Sequence, residues 1–538
     1  MTMSNSRTAA TLGAVVVCLT LAPRYLAAQQ PAQQAAPAAQ DRATYFTLMG
    51  ADTIAVEHVT RTPARLEGDF LDRARGIRVR FDAALAPNGQ TPTTEMWISR
   101  GTDSTVIQHA TLRHQGDSVI VEFAGGTPAP QRFATRPGAL LYINPSSAFV
   151  EQTLLRAKAI GGTSVEIPLF QSAGGQTMPV TVTWIGADSA VLSLGGVEMR
   201  ASVGLAGRLT GLAVPSQNVR VVRVEGTRTA AVAKPDYSAP ANAPYTAEDV
   251  TVRSTGGVTL KGTLTLPVTR PARGAPAVVT ITGSGAQTRD EALPGMSGYR
   301  PFREIADTLG RLGIAVLRLD DRGAGESDAG PAGPTSADFA DDVRAALAYL
   351  RSRPEIDGDR LGLVGHSEGG MIAPMVASTD PRLRAIVLMA GPSWTGRTIL
   401  QYQQRYAADS MLKLTGTARD SALQVMAKSL DSAASAQPWV RFFLDYDPLA
   451  TAKRVKQPVL VLQGATDRQV TPSQAVELAA AFRAGGNRDV TMKVFPSTNH
   501  LFLADPSGNP AGYARLPVKT VRPEVLGAVA DWLAAKLK

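Results

Sequence analysis

Two hydropathy patterns divide the chain. Over residues 42–229 apolar and polar positions alternate singly, in Gly76–Asp82, Ser118–Phe123, Val180–Trp184 and Val219–Glu225. A period of two puts successive side chains on opposite faces of a strand, so each run reads as a strand with one buried face. Asn88-Gly89, Gly174-Gly175 and Gly195-Gly196 supply turns between such runs. One helix is expected, at Ser147–Ile160. The stretch therefore reads as a mainly antiparallel β-domain.

Residues 230–245 are punctuated by prolines and read as a linker, and beyond them the pattern changes. Val250–Leu266 reads as a hairpin turning at Gly256-Gly257. Continuous apolar runs at Ala275–Thr282, Ile314–Leu319, Leu361–Val364, Ala385–Met389, Val459–Gln463 and Val490–Phe495 alternate with helix-length amphipathic segments. These segments include Pro301–Leu312, Ala337–Arg351, Pro472–Arg483 and Glu524–Lys536. Buried strands separated by helices predict a doubly wound, mostly parallel α/β sheet over residues 246–538. Active sites of such sheets lie beyond the carboxyl ends of the strands.

Gly365-His366-Ser367-Glu368-Gly369 follows one of those runs and precedes a helical segment. Gly-x-Ser-x-Gly at a strand-to-helix corner is a nucleophile elbow, in which the turn is too tight for side chains at either glycine. A serine hydroxyl needs a base, and the base needs an orienting acid. His500 lies in the loop after the last strand and Asp467 in the loop after the strand before it. Ser367, Asp467 and His500 thus occur in the chain order this architecture uses. His366 adjoins the serine in the elbow, so its side chain should point away from the hydroxyl. Strand Ala275–Thr282 opens into a glycine-rich loop, Gly283-Ser284-Gly285. The backbone N–H groups of Ser284 and of Glu368, next to the nucleophile, are the candidate oxyanion donors. The same loop lacks the Gly-Lys-Ser/Thr that would cradle a phosphate.

Together, Ile281-Thr-Gly-Ser-Gly with Arg289-Asp290, Asp320-Asp-Arg-Gly-Ala-Gly-Glu-Ser327, Gly365-His-Ser-Glu-Gly-Gly370, Phe443-Leu-Asp-Tyr-Asp-Pro448, Gly464-Ala-Thr-Asp467 and Asn499-His500 resemble the α/β-hydrolase superfamily. The resemblance is nearest to its secreted esterases, in the serine aminopeptidase-like and dienelactone hydrolase-like branch. It implies an α/β-hydrolase sheet and acyl transfer from an ester or amide to Ser367 and then to water, with no cofactor and no metal. Many members carry His-Gly where this chain has Thr282-Gly283. The insert at residues 393–457, with helical patterns near Thr398–Lys413 and Arg419–Ser432, reads as a cap over the serine. Trp394, Tyr402, Tyr406, Trp439, Phe442 and Phe443 either line its pocket or pack it onto the core.

Composition narrows this reading. Arg7 followed by apolar Ala9–Ala22 and the small residues Ala27-Ala28 predicts a signal peptide at 1–28, with a Gln/Ala/Pro leader at 29–41. The one cysteine, Cys18, lies within that signal, so the processed chain has none and cannot use a cysteine nucleophile or disulfides. Export to the periplasm or the outside of the cell is expected. The 55 Lys+Arg against 46 Asp+Glu give +9, but the charges are scattered, without the basic stripe that a nucleic-acid partner requires. No stable membrane insertion is expected after processing. His58, His109 and His114 of the β-domain have no metal-ligand spacing. The expected partner is a small acyl ester as substrate. A serine peptidase of short peptides is the alternative, and a non-catalytic binding protein on a hydrolase scaffold is a weaker third, since such a scaffold would not need all three of Ser367, Asp467 and His500.

Overall fold

Alternating side chains in the first half of the chain pair into one sheet of fifteen strands. The computed structural model describes residues 40–538 apart from 51, 74–75, 101–105, 127–128, 173, 205–206, 227–234 and 332. The expected signal peptide, most of the leader and the start of the linker lie outside the described residues. The sheet is two meanders joined where the first strand, Asp41–Met49, pairs antiparallel with Val219–Glu225. One core gathers Val119, Phe81, Leu141, Val182 and Val221 around Phe149 and Leu154 of the single long helix here, Ser147–Ile160. Strands far apart in the sheet thus meet the same helix, so the sheet curls about it. Gly68 makes room for this. A β-carbon there would lie 2.1 Å from the Phe81 ring, which reaches over the strand to Phe149 at a centroid distance of 4.9 Å.

The second sheet has eight strands. The hairpin Tyr245–Arg253 and Thr259–Pro267 forms one antiparallel edge. It is followed across the sheet by Ala315–Leu319, Ala275–Ile281, Ile356–His366, Ala385–Met389, Val459–Gly464 and Val490–Phe495, all parallel to one another. Both faces are covered, which is why these strands are apolar runs without alternation. Val279, Leu363 and Val461 point to helices Ser336–Ser352, Glu368–Ala377 and Pro472–Ala484. Val278, Val364 and Leu460 point to Pro301–Arg311 and Pro523–Leu537 on the opposite face. Strand order reverses at Ala275–Ile281, whose neighbours are Ala315–Leu319 and Ile356–His366. A crevice opens at such a point. The register Ile281 opposite Gly365 sets the two strand ends level, which brings the Gly283-Ser284 loop beside the elbow.

The α/β sheet and the strand-rich half agree with the sequence expectation, and the structure extends it. The elbow strand runs from Ile356 rather than Leu361. The insert carries Gly396–Tyr406, a π-helical turn at Ala407–Met411 and Gly416–Ala436, and adds two short helices, Pro438–Asp445 and Pro448–Ala452. Each of these two opens on proline, whose fixed φ suits the first helical turn, but both are too short to show a period. No helix among the described residues is long and apolar enough to cross a membrane.

An ionic cluster anchors the segment between the oxyanion loop and helix Pro301–Arg311. Arg289, with a fully buried side chain, grips Asp320 through Nε (3.2 Å) and Nη2 (2.7 Å), while its backbone N–H donates to the same carboxylate at 2.7 Å. Glu326 N also donates to Asp320, at 3.0 Å. Asp290 pairs with Arg318 and with Arg300. Arg322 pairs with Asp342 in the same region. Arg289 and Arg322 are thus ion-pair partners of nearby acids. Removing one member of a buried pair strands the other charge. Asp320→Ala should therefore cost about 3–5 kcal/mol of stability, read as a lower urea midpoint. Asp320→Asn, which keeps an acceptor for the two backbone N–H groups, should lose less.

Candidate active site

The elbow is built by close approach. Ser367 has φ 53° and ψ −115°, a conformation that costs energy for any residue with a side chain. A β-carbon on Gly365 would stand 2.1 Å from the carbonyl oxygen of Gly369, and one on Gly369 would stand 2.1 Å from that of Ile281. The helix can turn back against the strand only with glycine at both positions. Ser367 N donates to Met389 O of the next strand at 2.8 Å, and Gly370 N to Ser367 O at 2.9 Å. The side chain is left partly exposed at the carboxyl end of the sheet.

Asp467 and His500 come together, buried, with Asp467 Oδ2 2.8 Å from His500 Nδ1. The carboxylate is fixed on every side. Oδ2 also accepts from Gln463 Nε2 at 2.9 Å, and Oδ1 from the N–H groups of Gln469 (2.8 Å) and Val470 (3.0 Å). Nδ1 faces an acceptor and so carries the proton, which leaves Nε2 as the basic nitrogen. Among the described residues no side chain bonds to Nε2. The turn that holds His500 is shaped by Asn499, whose Oδ1 accepts from Leu501 N and Leu503 N, both at 3.0 Å.

On the other side of Ser367, the Gly283 N–H is committed to Glu291 Oε1 at 2.9 Å. The N–H groups of Ser284 and Glu368 make no hydrogen bond among the described residues, which keeps both candidate donors free. The Glu368 side chain turns inward, where Oε1 accepts from Ser336 Oγ (2.6 Å) and from Trp439 Nε1 of the insert (2.9 Å). Thr282 donates to Asp321 Oδ2 at 2.7 Å. In the insert, Phe443 is buried and stacked on Trp439 at 5.3 Å, while Trp394 donates to Glu477 at 2.9 Å and meets Tyr402 edge-on. Packing thus accounts for these rings. In the strand-rich half, His58 bonds Thr44, His114 bonds Thr91 O and His109 stacks on Trp97. No group of three or more metal-ligating side chains occurs among the described residues.

His366 points away from the serine hydroxyl, as expected, but not idly. Its Nδ1 lies 2.7 Å from Glu291 Oε1 and its Nε2 3.0 Å from the carbonyl oxygen of His500. Both ring nitrogens face acceptors, an arrangement that the doubly protonated ring satisfies. Burial opposes that charge, but the adjoining Glu291 carboxylate outweighs it and raises the pKa above the ordinary value. One carboxylate thereby ties the Gly283 loop to the elbow, and one imidazole ties the elbow to the His500 turn. Sequence reasoning missed Glu291 and Gln463. Gln463 does leave a trace, as a polar residue ending the apolar run Val459-Leu-Val-Leu. Glu291 leaves none, because its partner is 75 positions away.

Residues 295–507 match the family model described as Serine aminopeptidase, S33. Esterase EstD of Thermotoga maritima is 27% identical over 309 residues, 56% of this chain and 69% of that protein. An uncharacterized Pseudomonas aeruginosa protein is 29% identical over 153 residues, 28% of this chain and 38% of its own length. Among solved structures, a Pyrococcus furiosus esterase aligns with TM-score 0.40 and 19% identity, over 56% of this chain and 96% of that one.

The His366–Glu291 pair has a pH signature. A raised folded pKa means that its stabilisation is complete below about 6.5 and is lost as pH rises through the folded value. The melting temperature of the wild-type chain should fall across that alkaline interval. Glu291→Gln should melt lower at pH 6 and show a flatter profile above it, as read by differential scanning fluorimetry. An unchanged slope would remove the charge from His366.

Proposed function

Because the chain belongs to the α/β-hydrolase superfamily, we propose that it is an exported serine hydrolase that cleaves carboxylic esters through an acyl-enzyme on Ser367. The buried Asp467–His500 pair carries this reading, since it presents an unoccupied basic Nε2 on the loop that follows the last strand. In the proposed reaction Ser367 Oγ attacks the ester carbonyl as His500 Nε2 takes its proton. The oxyanion is received by the N–H groups of Ser284 and Glu368, neither of which has a protein acceptor among the described residues. Collapse of the tetrahedral intermediate expels the alkoxide, which leaves as the alcohol with the proton from His500. Water, deprotonated by the same nitrogen, then attacks the acyl carbonyl, and the acid is released as the bond to Ser367 Oγ breaks and Oγ takes the proton back from His500. Asp467 keeps the imidazole in the tautomer that accepts at Nε2, and its four donors hold it there. Export belongs to the same proposal and rests on the N-terminal sequence alone.

A second reading, a serine peptidase of short peptides, is favoured by the description of the matching family model. It would need acids to hold a substrate ammonium group. Glu368 lies next to the nucleophile, but its carboxylate is turned inward and already takes bonds from Ser336 and Trp439. That observation tips the balance to esters.

Ser367→Ala should lower turnover of p-nitrophenyl butyrate by at least about a thousandfold while the melting curve is kept. A fluorophosphonate probe should label the wild-type chain at Ser367 alone. Activity retained in the alanine variant would end the assignment, and aminoacyl-naphthylamides cleaved faster than esters would transfer it to peptides.

A further inference from the structure

The curled sheet of the N-terminal half does not close tightly around its helix. Beside the amino end of Ser147–Ile160 it leaves a cavity of about 470 Å³, within the range of sites that hold small organic ligands. The floor is aliphatic and buried, with Met199, Leu212 and Val214 among its residues. Two more methionines, Met49 and Met178, join the wall, and unbranched thioether chains adapt to flexible ligands. Asn144 and Gln217 are exposed at the rim, while Thr47, Ser147 and the carboxylate of Asp72 are buried polar groups of the wall, and Asp72 would repel an anionic ligand. No lysine, arginine or histidine is among the lining residues, so nothing there would neutralise a carboxylate or phosphate.

Gln171 narrows the ligand further. It lines the cavity, and its Nε2 donates to Met178 Sδ at 2.9 Å. A thioether is a weak acceptor, and an ester carbonyl entering the cavity would take that N–H at a gain. Pro294 completes the wall from the other half of the chain. It lies three residues after Glu291.

We propose that this cavity is a binding site for a neutral aliphatic ester, its chain on the Met199–Leu212 floor and its carbonyl on Gln171. The site is separate from the Ser367 centre, and its occupancy does not depend on hydrolysis. The test uses the full chain carrying Ser367→Ala, so that no ester is consumed. N-phenyl-1-naphthylamine, an uncharged fluorophore, reports occupancy, and methyl decanoate and decanoate ion compete for it. Methyl decanoate should displace the probe at least about tenfold more effectively than the anion. Filling the cavity with Leu212→Trp, or with Val197→Trp at a half-buried wall position, should weaken methyl decanoate by a similar factor. Placed in the chain with Ser367 intact, the same two substitutions should leave p-nitrophenyl acetate hydrolysis within about twofold. Folding is checked by the melting curve, and the half-buried Val197 position serves if Leu212→Trp does not fold. Equal competition by the anion would overturn the proposal, as would full affinity in a folded, filled variant, because the ligand would then sit elsewhere. No displacement by methyl decanoate would overturn it as well.

Discussion

The constraint on which the site depends is the turn from strand Ile356–His366 into helix Glu368–Ala377. The strand and the helix approach so closely that the positions flanking Ser367 by two residues have no room for a β-carbon, one facing the helix backbone and the other Ile281. The strain at Ser367 persists because the turn is over-determined. The strand is paired on both sides, the following helix is buried along its whole length, and Ser367 N is held by Met389 O. A hydroxyl placed this way cannot retreat into the sheet. Neighbouring elements are then left to bring the other groups to it.

They do so with three kinds of fastening, matched to the distance each must span. The Gly283–Gly285 loop is fixed by charge, through Arg289 on Asp320 and Arg318 on Asp290, because a loop rich in glycine has no side chains to pack. Asp467 is fixed by its own chain, since backbone N–H groups two and three residues on donate to Oδ1. The His500 turn is fixed by Asn499 in the same local way. Only the Glu291–His366 link joins all these parts, since it touches the oxyanion loop, the elbow and the His500 carbonyl through two side chains. Buried ion pairs contribute little net stability against apolar packing, and in some systems their value lies in favouring one arrangement over its alternatives. Here that arrangement sets the relative positions of two loops and a turn.

This division explains what the amino-acid sequence discloses. Buried parallel strands are apolar without alternation, and a forced glycine cannot be substituted, so the sheet, the elbow and the order of Ser367, Asp467 and His500 are legible. The Asn499 and Asp467 turns were half legible, as motifs without their bonding. Long-range polar contacts were not, because Glu291 and His366 are separated by 75 residues and no local pattern marks their meeting. The curl of the fifteen-stranded sheet was likewise hidden. Alternation gives each strand a buried face but does not say that strands remote in the sheet share one helix, nor that Gly68 was needed to let Phe81 reach it.

The curl also decides what the strand-rich half can do. An antiparallel sheet with one apolar face must bury that face, and a single helix of fourteen residues is too short to cover fifteen strands. The uncovered remainder is satisfied either by a partner or by a cavity lined with adaptable side chains, and the methionines Met49, Met178 and Met199 lie where the helix coverage ends. Pro294 closes the wall from the segment whose other end is pinned by Arg289 and Glu291. The strand-rich half and the segment after Glu291 thus share one cavity wall.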